Sequence, residues 1–135
     1  MPDPVSPRPR VPADLSGRIR TKRVYLPASE SDGKRILVDR LWPRGLSKVR
    51  AQLDEWCKEI APSDALRHWF HADPSDWEEF ELRYRAELAT KPDLLRELAA
   101  LAEDGVVTLL FGSRNEEHNN AVVLADRLQQ EIGSR

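Results

Sequence analysis

Two short apolar runs, each ended abruptly by residues that a strand cannot absorb, constrain this chain most. One is Arg35-Ile36-Leu37-Val38-Asp39 and the other is Val106-Val107-Thr108-Leu109-Leu110-Phe111. Runs rich in β-branched and leucine side chains, with no polar alternation, need burial on both faces, as in a parallel sheet. The first run leaves through a charged, proline-broken turn carrying Asp39, Arg40, Trp42 and Arg44. Two arginines and an aspartate crowded there are hard to explain by packing alone. In open α/β sheets, that end of a strand is where ligands bind.

The rest of the chain reads as punctuation around those runs. Ile19, Thr21 and Arg23 to Leu26 make a first strand, broken at Pro27 and turned at Asp32-Gly33. Ser47 caps a short helix over 48–52, and residues 53–60 read as a short strand, with neither period winning cleanly. Ser63 caps a helix carrying Leu66, Trp69 and Phe70 on one side. Asp73-Pro74-Ser75-Asp76 reads as a helix start, with Asp73 as N-cap and Pro74 at the first position. Trp77, Phe80, Tyr84 and Leu88 follow at helical spacing and should face the core. After the Lys91-Pro92 break, a helix over 93–103 buries Leu94, Leu95, Leu98 and Leu101, closing at Asp104-Gly105. Following the loop Gly112 to Glu116, a last helix presents Ala121, Leu124, Ala125, Leu128 and Ile132 as one stripe. The order strand, helices, strand, helix predicts an α/β fold. It is a single small domain over 18–135 with a mostly parallel central sheet flanked by helices.

Composition narrows the function classes. At 135 residues there is one ordinary core. A net charge of -2 argues against a globally basic nucleic-acid binder, though not against a local basic patch. No apolar run approaches the roughly 20 residues that span a bilayer, so no membrane association is expected. Cys57 is the one cysteine. It suits a reducing cytoplasm, makes no metal cage, and reads as a small packed residue rather than a nucleophile. Residues 1–17 hold Pro2, Pro4, Pro7, Pro9 and Pro12 with Arg8 and Arg10, and read as a disordered or extended arm.

If the two apolar strands are parallel neighbours, their downstream ends meet. One delivers Asp39, Arg40 and Arg44. The other delivers Ser113, Arg114, Asn115, Glu116, His118 and Asn119 at a helix start. A helix N-terminus offers unpaired N–H groups and partial positive charge, and guanidinium forks grip phosphate or carboxylate in pairs. The pattern therefore favours an anion, a phosphorylated or nucleotide-like small molecule, held by Arg40, Arg44, Ser113, Arg114, Asn115 and Asn119. Each piece has a plainer reading. Arg40 and Arg44 also suit surface ion pairs with Asp39 or Glu55. His118 also suits a capping or packing role, and Asn115 a cap for the next turn. Trp42, Trp56, Trp69 and Trp77 read as packing rather than a base-stacking platform. His68, His71 and Asp73 lack a fourth donor nearby, so no metal is expected. No Walker loop, dinucleotide fingerprint, Gly-x-Ser-x-Gly or His-Glu-x-x-His is present, and no cofactor is implied.

The block Arg35-Ile-Leu-Val-Asp-Arg-Leu-Trp-Pro-Arg-Gly-Leu-Ser-Lys48 resembles the bacterial family called domain of unknown function 488, in its YeaO-like branch. The likeness continues through Leu53-Asp-Glu-Trp56, Ile60-Ala-Pro-Ser63, Leu66-Arg67-x-Trp69-Phe70, Trp77-x-x-Phe80, Tyr84-x-x-Glu87-Leu88 and Val107-Thr-Leu-Leu110. It ends at Glu116-Glu-His-Asn119 and Ala121, so it covers residues 18 to 130. The resemblance implies a small cytoplasmic α/β protein whose activity is not established. Some members carry a MarR-type regulator label, but no winged helix-turn-helix is visible here. Where the family usually has Tyr-Ala-Ala-(Lys/Arg)-Asp, this chain has Phe111-Gly-Ser-Arg-Asn115, without the acid. Cys57 stands where an aliphatic residue is usual, which fits packing.

Three functions compete. The first is an anion-binding module. The second is a small hydrolase or transferase acting on a nucleotide or nucleoside, with Asp39 or Glu116 as acid/base and His118 as helper. The third is a nucleic-acid-associated regulator using the arm and the Arg40/Arg44 face, ranked last because the chain is net acidic. Convergence of a carboxylate with His118 in a closed pocket discriminates the second from the first.

Overall fold

Val107–Phe111, every residue of it buried, runs up the middle of the molecule. The computed structural model describes residues 17–133, so the expected arm, apart from Gly17, lies outside the described residues. The strands are β1 (Ile19–Arg23), β2 (Lys34–Leu37), β3 (Glu55–Trp56) and β4 (Val107–Phe111). They form one four-stranded sheet in the order β1-β4-β2-β3, with every pairing parallel. The two apolar runs are indeed neighbours, Ile36 opposite Leu109 and Leu37 opposite Leu110. An all-parallel sheet needs cover on both faces, and its alternation sorts the side chains accordingly. Ile36, Val38, Val107, Leu109 and Phe111 join the larger core with Phe80, Tyr84, Leu88, Leu98, Leu124 and Leu128 from the helices. Leu37 and Leu110 face a smaller core under Leu46, Ala51, Trp42 and Trp56.

The helices are α1 (Lys48–Ala51), α2 (Asp64–Ala72), α3 (Trp77–Leu88), α4 (Pro92–Asp104) and α5 (Asn120–Gly133). Ser47 and Ser63 cap α1 and α2, accepting from the N–H groups of Arg50 and Leu66. α4 starts with Pro92 in its first turn.

Several sequence expectations are corrected. α3 starts three residues later than the motif suggested: Asp76 is its N-cap, accepting from the Glu79 N–H. Asp73 instead ends α2, and its carboxylate accepts from the Ser75 hydroxyl at 2.5 Å. β3 is only two residues long, because Lys58–Ile60 coil into a 3-10 turn and Pro62 follows. β1 stops at Arg23, where Leu26 N–H turns back to the Arg23 carbonyl at 3.1 Å. In α4, Ala99 and Ala102 are buried while Leu94 and Leu101 are only partly so. In α5, Val123 takes the buried place expected of Ala125.

One glycine is dictated by position. Gly33 has φ +64°, and a Cβ there would lie 2.2 Å from the Val106 carbonyl oxygen. Only a residue without a side chain lets β2 start against β4, where Lys34 N–H reaches that same carbonyl at 2.9 Å. Beneath this turn sits a buried ion cluster. Asp32 accepts from Arg35 at 2.5 Å and from Lys22 at 3.0 Å, and Arg35 also donates to the Ala51 carbonyl at 2.7 Å.

Candidate functional site

Because β2 and β4 run parallel, both deliver their C-terminal ends to one edge of the sheet. A cleft of about 420 Å³ opens there, within the range of small-molecule sites. Its walls include Asp39, Arg40 and Arg44 from the β2 exit, and Gly112, Ser113 and Arg114 from the β4 exit. His118, Asn119 and Asn120 come from the approach to α5. The sequence thus located the two chain segments that meet. Asn115 and Glu116 lie on the exposed turn beside the cleft and are not among its lining residues.

Asp39 ties the edge together. One carboxylate oxygen accepts the Gly112 N–H at 2.8 Å, and the other accepts the Asn120 side-chain amide at 3.1 Å. That amide also donates to the Val38 carbonyl at 2.9 Å, so Asn120 pins the start of α5 to the end of β2. Trp56 Nε1–H donates to the Asp39 carbonyl at 2.8 Å. Burial pushes the Asp39 carboxyl above its ordinary range, against the Gly112 and Asn120 hydrogen bonds and the positive charges of Arg67 and His71.

The arginines divide by how firmly they are held. Arg40 donates to the carbonyls of Pro62 at 3.0 Å and Ala61 at 3.3 Å, and lies 3.9 Å from Asp64. It pairs with neither Asp39 nor Glu55. Arg44 and Arg114 are exposed, and their guanidinium groups have no partner among the described residues. Arg44 contributes its carbonyl, which accepts the Tyr25 hydroxyl at 2.8 Å. Among residues lining the cleft, Asp39 is the one carboxylate, set against Arg40, Arg44, Arg67 and Arg114.

The asparagines build the loop. Asn115 accepts the N–H groups of Glu117 and His118, each at 2.9 Å, so it caps the turn as its plainer reading held. α5 starts only at Asn120, and buried Asn119 is its N-cap, accepting the Val122 N–H at 3.0 Å. The positive end of the α5 dipole is thereby set at the cleft. His118 stacks on Trp77, with ring centroids 4.6 Å apart and planes inclined by 6°. Among the described residues its ring makes no hydrogen bond to a carboxylate.

Other candidates fall to packing. The rings of Trp42 and Trp56 meet edge-on at 5.3 Å, and Trp69 and Trp77 rest against the larger core. Cys57 is buried, and burial pushes its thiol up to about 11, so no thiolate is available near neutral pH. Among the described residues no group of three His, Cys, Asp or Glu side chains is placed to hold a metal ion. No helix among them is long and apolar enough to cross a membrane.

Among the lining groups that escaped the sequence reading are Arg67, His71, and the aromatic wall of Phe70 and Phe80, whose rings lie 4.4 Å apart. Arg67 and Phe70 come from α2, whose start is locked onto α3 where Glu87 accepts the Ser63 N–H at 2.8 Å and its hydroxyl at 2.6 Å. The Leu66-Arg67-x-Trp69-Phe70 motif was the available signal, since a charge between core residues is otherwise unexplained.

Comparison with known proteins agrees on family. A family model described as the inactive DUF488-N3 subclade matches residues 18–135. The uncharacterized protein YeaO of Escherichia coli K12 is 50% identical over 111 residues, 82% of this chain and 96% of that protein. The uncharacterized proteins Rv3073c of Mycobacterium tuberculosis and Mb3100c of Mycobacterium bovis are each 41% identical over 111 residues. That span is again 82% of this chain, and 93% of theirs. No solved structure matches the chain.

Proposed function

The chain belongs to the domain of unknown function 488 family, and on that premise we propose that it is a binding module for a small phosphorylated or nucleotide-like anion. The observation that carries the reading is the charge balance of the cleft: four arginines and the start of α5 around one carboxylate, itself already hydrogen-bonded. Guanidinium groups in a partly dry cleft hold oxyanions in fixed geometry, and the dipole of α5 adds to them. Phe70 and Phe80 supply an apolar wall of the kind that receives a ring.

A hydrolase or transferase is the weaker reading. Asp39 holds two backbone-ordering hydrogen bonds, His118 is stacked on Trp77, and Glu116 lies outside the cleft. An acid/base pair needs hydrogen-bond reach between its members or their substrate. The description of the matching subclade as inactive supports binding over turnover.

A thermal-shift screen across nucleotides and small phosphorylated metabolites tests the proposal, because a ligand that binds only the folded state raises its melting point. The expected result is a concentration-dependent rise that Arg44→Ala combined with Arg114→Ala abolishes. A panel with no rise, or a rise untouched by the double variant, overturns it.

A further inference from the structure

The proposed anion reading counts two features of the same cleft only as charges. The first is Arg67, which lines the wall with its side chain about one quarter exposed. Its Nε–H is buried and has no hydrogen-bond partner among the described residues. Its Nη2 makes only long contacts, 3.4 Å to Asp64 and 3.3 Å to His68. A buried donor left unsatisfied is costly, and native structures rarely keep one without a reason. The second feature is Asp39. A carboxylate has about four acceptor positions, two on each oxygen. Gly112 and Asn120 fill one on each, from the sheet and helix side. Acceptor capacity therefore remains on a residue that also lines the cleft.

A lone carboxylate among arginines works against a simple anion, since it repels the charge that the arginines attract. It works in favour of a ligand that carries donors of its own. We propose that the cleft takes a hydroxylated monophosphate, a sugar phosphate or nucleoside monophosphate. Arg67, held only by long Nη2 contacts and so free to turn its unsatisfied Nε–H toward the cleft, receives a phosphate oxygen on its guanidinium group, and Asp39 accepts from a hydroxyl or amino group of the same molecule. This inference rests on the anion reading and adds the second half of the ligand. Arg67 becomes the deep anchor, while Arg44 and Arg114 close from the rim. Free phosphate satisfies Arg67 but meets the Asp39 charge uncompensated. A polyol phosphate satisfies both.

Calorimetric titration of the full chain with inorganic phosphate, ribose 5-phosphate and adenosine 5′-monophosphate decides it. The wild type is expected to bind both hydroxylated ligands at least about tenfold more tightly than inorganic phosphate, as befits a hydrogen bond to a charged group. Arg67→Ala is expected to weaken all three. Asp39→Asn removes a negative charge and one acceptor, so it is expected to narrow the preference while phosphate itself binds as well or better. If Asp39→Asn does not fold, the wild-type preference and the Arg67→Ala loss carry the decision. Phosphate bound without preference, or Asp39→Asn weakening all three alike, overturns this inference and leaves the anion reading standing. No binding of any of the three ends both.

Discussion

The carboxylate of Asp39, where the chain leaves β2, accepts the backbone N–H of Gly112, where the chain leaves β4, at 2.8 Å. This bond joins the two segments that the parallel sheet brings together, and it does so at the floor of the cleft. A Cβ at position 112 would stand 3.3 Å from that carboxylate oxygen, so the glycine leaves room for the approach. Removing the acceptor strands the Gly112 N–H and leaves the Asn120 amide with its bond to the Val38 carbonyl alone. Asp39→Ala is expected to destabilise the fold by about 1 kcal/mol, the low end of the penalty for an orphaned donor, because the Gly112 N–H is only part-buried. Urea denaturation checks this, and an unchanged midpoint contradicts it.

Asp39 and Asp32 should titrate in opposite directions. Burial lifts Asp39 above the ordinary 3.8, outweighing the hydrogen bonds and positive charges that lower it. The folded state then keeps a proton that the unfolded chain has released. Asp39 therefore contributes stability most fully below 3.8 and loses that contribution as pH rises through its folded value. Burial also acts to raise Asp32, but the Ser29 N–H, Lys22 and Arg35 outweigh it and hold that carboxyl below 3.8. Its contribution is complete above 3.8 and disappears as pH falls through the depressed value. Carboxyl carbon NMR titration should find the Asp39 midpoint above 3.8 and that of Asp32 below it. The reverse order contradicts the assignment.

The Asp32 cluster holds the start of β2, upstream of the cleft. The Arg35 side chain is buried, and among the described residues Asp32 is the one carboxylate that its guanidinium meets. Asp32→Asn leaves that guanidinium without its counter-charge, a change that typically costs about 3–5 kcal/mol. The measurement is the same denaturation series, and a loss under about 1 kcal/mol would contradict a buried, dependent pair.

The β-pattern of this fold was legible because Ile36 to Val38 and Val107 to Phe111 have no polar alternation to place on a solvent face. Their adjacency stood only as a condition in the sequence, because two apolar runs do not say which strands pair; the register of Ile36 with Leu109 settles it. The start of α3 was misplaced because Asp73 and Asp76 are both credible caps, and the choice between them depends on Ser75 folding back onto Asp73. The rim arginines were legible because they flank strand ends. Arg67 was not, because its position on the wall depends on how α2 is locked to α3 through Ser63 and Glu87.

Tyr84 supports the cleft from behind. Its buried hydroxyl donates to the Ile60 carbonyl at 2.6 Å, next to the Ala61 and Pro62 carbonyls that hold Arg40. Tyr84→Phe is expected to destabilise by about 1–3 kcal/mol by orphaning that buried carbonyl. Thermal denaturation of the variant measures it, and no change would place the 58–62 turn outside the cooperative core.

Arg44→Ala and Arg114→Ala should behave in the contrary way. Neither guanidinium has a partner among the described residues, so each variant should keep its stability within about 0.5 kcal/mol. Affinity for a phosphorylated ligand should nevertheless fall, and more steeply at low salt, because the screening length of exposed charges grows from about 8 Å at 0.15 M salt to about 30 Å at 0.01 M. Parallel denaturation and binding curves separate the two effects. A shared loss of stability and binding would contradict the division.

The most direct test of the cleft as an anion site is amide NMR of the nitrogen-15-labelled chain titrated with adenosine 5′-monophosphate. The account predicts saturable shifts concentrated at Gly112, Ser113, Arg114 and Asn120, together with the side-chain Nε–H of Arg67. Shifts absent there, or confined to residues that do not line the cleft, would contradict it.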